Sequence, residues 1–172
     1  MTVLIATSRP IDTRLSTLIR HGGLAGIAGG LVIAAAGMIL DAALGVGFWA
    51  LPNAIGGIAL GPATGASTAP GLVTLAGVVL HMMLSAGFGV ATLVAIRKVT
   101  REHVATGVAL GLGLWLVNYY VLGQLSAGAH AVATLNPIWM GGALHALFGA
   151  VTGLATRSLE AKLVCQHHCH HH

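Results

Sequence analysis

Four long apolar runs, separated by shorter polar segments, dominate the chain. A membrane span needs about 20 apolar residues at a rise of about 1.5 Å per residue. The runs that meet this length cover about 22–43, 71–96, 104–122 and 138–156. The first run continues through Phe48 and Trp49, which predicts an interfacial extension that stops at Pro52, and it is too long for the core of a cleaved signal peptide. The pattern predicts an all-α, polytopic membrane four-helix bundle.

The segments between the runs have the composition of loops and tails. Residues 52–70 are rich in Gly, Pro, Ser and Thr, residues 97–103 form a short charged turn, and residues 123–137 are polar but uncharged. Such segments favour loops over regular structure. We therefore divide the chain into an N-terminal segment at 1–21, a transmembrane domain at 22–160 and a tail at 161–172.

Composition disfavours most soluble classes. Hydrophobic residues make up 56% of the chain and charged residues 7%, whereas soluble domains carry about 25% charged residues. This argues against a soluble globule, a disordered chain and a nucleic-acid-binding domain. The 4 acidic residues are too few for paired-carboxylate catalysis. The sequence also has no Walker loop and no HExxH motif, so an enzyme is the least favoured class.

The basic residues predict the orientation in the membrane. All 8 Lys and Arg fall in the N-terminal segment, the turn between the second and third runs, or the C-terminal segment. With four spans these segments share one side, which the positive-inside rule assigns to the cytoplasm. Aromatic residues fall near the opposite interface, at Trp49, Tyr119, Tyr120 and Trp139. We expect a multi-pass protein of the bacterial inner membrane with both termini in the cytoplasm.

The second and fourth runs share an internal repeat. With an offset of 64, residues 80–92 align with residues 144–156, and His81 falls over His145. The first and third runs align more weakly, with Gly26 and Gly30 over Gly107 and Gly111, or with Asp41 over Asn118. Two repeated helical hairpins would run in the same direction and place both histidines at similar depth.

Small residues recur four positions apart in all four runs, a spacing that lets helix backbones approach closely in lipid. The predicted packing residues are Gly26, Gly30, Ser85, Gly89, Gly107, Gly111, Gly149 and Gly153. His81 precedes Ser85 by four residues, as His145 precedes Gly149, so each histidine shares a face with the packing residues of its helix. We expect both histidines to face the bundle.

The two intramembrane histidines are the first candidates for chemistry. Ionisable residues are rare and costly in a bilayer and indicate function by default. Because imidazole binds Zn, Cu and haem iron, His81 and His145 would hold haem b or a Cu or Zn ion, with Asn118, Met82 and Met83 as further donors. Alternatively, each neutral ring bonds a facing backbone or hydroxyl group, or the pair lines a proton or solute path.

Other polar groups are predicted near the membrane surfaces. Asp41 lies about 28 Å along the first helix when counted from Gly22, which predicts an acid near the outer headgroups and water. A first helix that is kinked or starts earlier would instead bury Asp41 against the bundle. His21 and His103 stand beside arginines at the inner interface and are predicted to face headgroups.

The C-terminal tail has ligands that suit a soft or borderline ion such as Zn or Cu(I). The predicted ligands are Cys165, His167, His168, Cys169 and His170. The competing interpretation is an expression tag or its remnant, because a run of histidines closes the sequence.

Two stretches of the span region have a familiar style of helix, namely GVALGLGLWLVNYYVLG and LNPIWMGGALHALFGAVTGLA. In these stretches the chain resembles small bacterial inner-membrane proteins of the YagU-like kind. Because such proteins have no established activity, the resemblance implies no catalytic residues.

These observations favour a small non-enzymatic membrane protein. It would be an accessory subunit of a membrane complex, in contact with lipid and with other subunits or copies of itself, or a metal- or haem-binding bundle centred on His81 and His145. The alternative is a small transporter or channel, which requires a polar stripe along at least one helix. The second run supplies few polar residues for such a stripe, namely Thr74, His81, Ser85 and Thr92.

Overall fold

Seven helices make up the computed structural model, which describes residues 15–100 and 102–169, with side chains at 15–99 and 102–161. They are α1 (Leu15–Ala43), α2 (Ala50–Leu60), α3 (Pro62–Gly65), α4 (Leu72–Val99), α5 (His103–Leu125), α6 (Ala127–Thr134) and α7 (Ile138–Cys169). Four of them are long and apolar enough to cross a membrane: α1, α4, α5 and the Ile138–Ala161 part of α7. The predicted all-α bundle is confirmed.

The four long helices pack in the order α4, α1, α7, α5. Glycines make this spacing possible, because a Cβ atom added at Gly26 of α1 would collide with the Ser85 carbonyl of α4. In the same way, a Cβ atom at Gly107 of α5 would collide with the Gly149 carbonyl of α7. Backbones that approach this closely gain the van der Waals contact that holds helices together in lipid.

The two hairpins share this packing position by position. A Cβ atom at Gly89 would meet the carbonyl of Gly22, and one at Gly153 would meet the carbonyl of His103. Equivalent packing residues are 81 positions apart in the first helices of the two hairpins, α1 and α5, and 64 positions apart in the second helices, α4 and α7. The glycine alignment of the first and third runs therefore describes the packing, whereas the alignment of Asp41 with Asn118 does not.

Each hairpin also carries short helices between its two spans, where the sequence predicted loops. In the first hairpin, α2 runs through Pro52 instead of stopping there, because proline in the first turn removes an N–H that has no partner within the helix. Gly56 sits directly against the Val73 carbonyl of α4, so this glycine marks close packing rather than a turn. In the second hairpin, Gly128 of α6 lies against the backbone of Ile58 in α2.

The outer helices of the chain are longer than their apolar runs. Helix α1 begins at Leu15 rather than near residue 22, and α7 continues to Cys169 rather than ending near residue 156. Loss of hydropathy marks where a helix leaves the hydrocarbon, but a helix ends only where its backbone is interrupted. The segment after Thr156 has no Gly or Pro before Cys169, so nothing there stops the helix.

The distribution of polar groups is the reverse of that in a water-soluble domain. Leu31, Leu84 and Trp139 are among many large apolar side chains that are more than half exposed. The buried polar side chains of the described residues are Asp41, Asn53, Thr74, Ser85, Thr92, Thr106, Thr152 and Thr156. An apolar exterior around a partly polar interior suits hydrocarbon rather than water as the surrounding solvent.

Candidate functional site

His81 fastens α4 to α1. Its Nε2–H donates to the backbone carbonyl of Gly30, with 3.0 Å between the two atoms. Ser85, one turn further along α4, is 4% exposed and lies against the same glycine. A side chain at position 30 would collide with the Ser85 hydroxyl, so Gly30 gives the histidine access to the α1 backbone. The bond joins two spans in a partly buried position.

His145 occupies the equivalent place on α7 but has different partners. Its Nδ1–H donates to the carbonyl of Gly141 at 2.8 Å, one turn back on the same helix. The other ring nitrogen, Nε2, then has no hydrogen and accepts from the Asn118 amide of α5 at 3.3 Å. Asn118 belongs to a π-helical turn at Val117–Leu122, which changes the direction of the side chains that follow it.

The two histidines have separate hydrogen-bond partners, on α1 for His81 and on α5 and α7 for His145. In this arrangement both Nε2 atoms are engaged, one by Gly30 and the other by Asn118. Ligation of haem or a metal through Nε2 would require both bonds to break. Met83 is 68% exposed and faces away from the bundle interior, which removes it as a further donor to this pair.

Asp41 is not in contact with water, and the prediction of an exposed interfacial acid is wrong. The residue is 0% exposed, and its Oδ1 accepts from the Asn136 side-chain amide at 2.7 Å. The carboxylate also accepts from the backbone N–H of Leu51 in the first turn of α2. Asn136 and the first turn of α2 cover this acid, in agreement with the alternative interpretation of the sequence, in which Asp41 is buried against the bundle.

This carboxylate completes the N-terminus of α2. The first N–H groups of a helix have no partner within it. Here Ala50 donates to the Gly47 carbonyl, Leu51 donates to Asp41, Pro52 has no N–H, and Asn53 donates to the Trp49 carbonyl. Asp41 therefore caps a helix that is separate from its own, and its negative charge lies at the positive end of the α2 dipole.

A second polar cluster, not identified from the sequence, lies where α2 meets the start of α4. Asn53 is 0% exposed and donates to the carbonyls of Ser67 and Ala69 at 2.7 and 3.0 Å. Its Oδ1 accepts from the Thr74 hydroxyl, which in turn accepts from the Gly71 backbone N–H. The cluster ties the segment after α3 to both helices. The sequence feature that could have indicated this cluster is an asparagine directly after a proline within an apolar segment.

At the opposite end of the spans, one acid joins three helices. Glu160 of α7 accepts from Arg97 of α4 at 2.7 Å and bonds the His103 ring of α5 at 2.8 Å. The Arg97 side chain is 5% exposed and that of Glu160 is 24% exposed, so the group is partly desolvated. The predicted headgroup-facing position of His103 is corrected, because its ring faces Glu160 instead.

Buried and half-buried polar residues form stripes on two spans. Thr74, His81, Ser85 and Thr92 share the interior face of α4, and His145, Thr152, Thr156 and Glu160 share that of α7. Thr156 donates to the Gly153 carbonyl at 2.7 Å, whereas the Thr152 hydroxyl has no hydrogen-bond partner. The α4 stripe consists of the four residues identified from the sequence, and α7 adds a second stripe of four residues.

The predicted metal ligands of the tail cannot be placed. The backbone is helical through Cys169, but the side chains of Cys165, His167, His168 and Cys169, and the whole of His170, lie outside the described residues. Within the described part of the chain, no group of three or more His, Cys, Asp or Glu is arranged to hold a metal ion.

Four apolar spans around a glycine-packed, partly polar interior define the class: this is a multi-pass membrane protein. Comparisons with protein families, characterised proteins and solved structures find no match to the chain.

Proposed function

We propose that the protein is a non-enzymatic accessory subunit of a membrane complex. The observation that supports this proposal is the use of its intramembrane imidazoles as helix fasteners, since His145 bonds through both ring nitrogens and His81 through Nε2. Side chains that are already engaged hold the bundle in one arrangement and leave little for chemistry. A rigid module of this kind would present its apolar outer faces to lipid and to neighbouring subunits.

The proposed location is the bacterial inner membrane, with both termini in the cytoplasm. Among the described residues, Arg20, Arg97, Lys98 and Arg157 lie towards the same end of the four spans, and the positive-inside bias supports the cytoplasm for that end. Reporter fusions at residues 66 and 130 should read as periplasmic, and fusions at 100 and 165 as cytoplasmic. A cytoplasmic reading at residue 66 would contradict this topology.

Photo-cross-linking in native membranes tests the accessory role. Cross-linkers at the exposed positions Leu31, Leu84 and Tyr120 should yield an adduct with a different protein. Phe148 is 2% exposed and is the matched inward control, which should yield no intermolecular adduct. Adducts only with lipid, or only with a second copy of the chain, would overturn the accessory role.

A haem- or metal-binding bundle is distinguished by spectroscopy and metal analysis of the purified protein. The hydrogen bonds of His81 and His145 support a structural role, so His81→Ala and His145→Ala should alter stability but no absorption band. A haem absorption band or stoichiometric copper or zinc that disappears in either variant would establish the binding role instead.

A small transporter or channel is the second candidate. The observation that favours it is the pair of polar stripes on α4 and α7, with the unpartnered Thr152 hydroxyl between His145 and Glu160. Proteoliposomes that contain the wild type would show an ion or solute flux that Thr152→Val or His145→Ala reduces. Equal fluxes in protein-containing and empty vesicles would reject this candidate.

A further inference from the structure

Asp41 is a fully covered acid with no basic side chain near it along the chain. It is the only Asp, Glu, Lys or Arg between residues 21 and 96, and residues 104–156 contain none. It lies two residues before the end of α1, while the described basic residues Arg20, Arg97, Lys98 and Arg157 lie towards the other end of the spans. A buried carboxylate without a compensating charge is strongly disfavoured, so its charge requires a partner.

Two oxygen atoms beside this acid have no hydrogen-bond partner. They are Oδ2 of Asp41 and Oδ1 of Asn136, and both atoms are shielded from solvent. Because the Asn136 amide donates to Oδ1 of Asp41, the two unpartnered oxygens belong to groups that are already in contact. Both atoms are acceptors, so neither can satisfy the other while Asp41 is ionised. A positively charged group bound between these two oxygen atoms would satisfy both of them.

We propose that Asp41 and Asn136 form a binding site for a small monovalent cation, with sodium as its probe. Carboxylate and amide oxygens are hard ligands that suit alkali and alkaline-earth ions better than copper or zinc. A single carboxylate balances one positive charge, which favours a monovalent ion over a divalent one. The site goes beyond the accessory role, which does not depend on it.

The position of Asp41 at the N-terminus of α2 favours a metal cation over a proton. A proton on Oδ2 would also satisfy both oxygens, by donating to Oδ1 of Asn136. Burial by itself favours a proton on this carboxyl group, whereas the bonds from Asn136 and the Leu51 N–H and the positive end of the α2 dipole favour its ionised form. A cation bound between Oδ2 of Asp41 and Oδ1 of Asn136 satisfies both unpartnered oxygens and keeps the carboxylate ionised beside these donors.

Thermal melting of the purified full-length protein in nanodiscs tests the site. Sodium chloride should raise Tm above that in N-methylglucamine chloride of equal ionic strength, with a saturable dependence. At a sodium concentration of about 100 times Kd the expected shift is roughly 5–10 °C. Asp41→Asn keeps the shape of the side chain and removes its charge, so the sodium-dependent shift should disappear.

Two further variants keep the test decisive. Asn136→Ala leaves the carboxylate and its bond to Leu51 in place, so sodium should still stabilise it but at least 10-fold more weakly. Asn136→Ala therefore tests the site even if the Asp41→Asn variant does not fold. The matched control, Asn118→Ala, removes a different intramembrane amide and should keep the wild-type sodium response.

Three results would overturn the cation site. They are equal wild-type Tm values in the two salts, a sodium response that persists unchanged in both Asp41→Asn and Asn136→Ala, and a Tm that depends on pH through Asp41 but not on sodium. The last result would identify a protonated acid–amide pair. None of them bears on the cross-linking test of the accessory role.

Discussion

The two hairpins use the same backbone packing but different side-chain partners. Gly26 against Ser85 in the first hairpin matches Gly107 against Gly149 in the second. By this equivalence His145 would bond the carbonyl of Gly111, as His81 bonds that of Gly30. Instead His145 turns to its own helix and to Asn118.

The difference shows which features of a helical hairpin are constrained in a membrane. Helix separation depends on glycines at the contact, where any side chain would strike a backbone carbonyl. Imidazole partners depend on what else lies within reach. The π-helical turn at Val117–Leu122 brings an amide to His145, and no comparable group is bonded to His81. Predictions at equivalent positions therefore test which parts of the two hairpins are interchangeable.

The largest effects are expected at the glycine contacts. Gly26→Ala and Gly107→Ala should each destabilise the bundle by about 1–3 kcal/mol or more, because the new methyl group meets backbone rather than a flexible side chain. Gly113→Ala, where nothing lies within 4 Å, is the matched control and should be neutral or slightly stabilising. Thermal melting in detergent measures all three variants, and unequal losses at Gly26 and Gly107 would contradict the equivalence of the two hairpins.

Glu160 is expected to have the next largest effect, because it joins the first hairpin to the second. Glu160→Gln keeps the size of the side chain but removes the charge that holds Arg97 and His103. Since charge-assisted bonds contribute about 1.5–3 kcal/mol, we expect a loss of that order. Arg157→Gln, which removes an exposed charge from the same helix, is the control. Equal melting temperatures for the wild type and Glu160→Gln would contradict the three-helix link.

The histidine variants should show that the two hairpins use their histidines differently. His81→Ala and His145→Ala should each lose about 0.6–2 kcal/mol, the range of interhelical hydrogen bonds in membranes, with the larger loss at His145. In a double-mutant cycle, Asn118→Ala should couple to His145→Ala and be additive with His81→Ala. Coupling of Asn118 to both histidines would mean that the two rings act as one site.

The smallest effect is expected at two threonines one turn apart on α7. Thr156 donates to the Gly153 carbonyl, so Thr156→Val should lose about 0.5–1.5 kcal/mol. The Thr152 hydroxyl has no partner, and Thr152→Val should be neutral or stabilising because it removes a buried, unsatisfied polar group. A clear loss of stability at Thr152 would show that its hydroxyl has a partner in the membrane.

Much of the architecture followed from the sequence, because hydrocarbon imposes simple rules on a chain. Span length, the clustering of basic residues and the glycine spacing each follow from the absence of water in the bilayer core. Those rules predicted four spans, the small residues at positions 26, 85, 107 and 149, and histidines at matching places in a repeat. They hold because the driving forces act on local stretches of chain.

The remaining features depend on contacts between residues far apart in sequence. The short helix α2 was predicted as a loop because its Gly and Pro residues look like turn residues until Val73 and Gly77 are packed against them. Asp41 was predicted at the water interface because its depth depends on where α1 begins and on Asn136, 95 residues away. The partners of His81 and His145 were equally undetermined, since hydrogen bonds between helices require their relative rotation. Local sequence determines which segments enter the membrane, and tertiary packing alone decides which polar groups meet there.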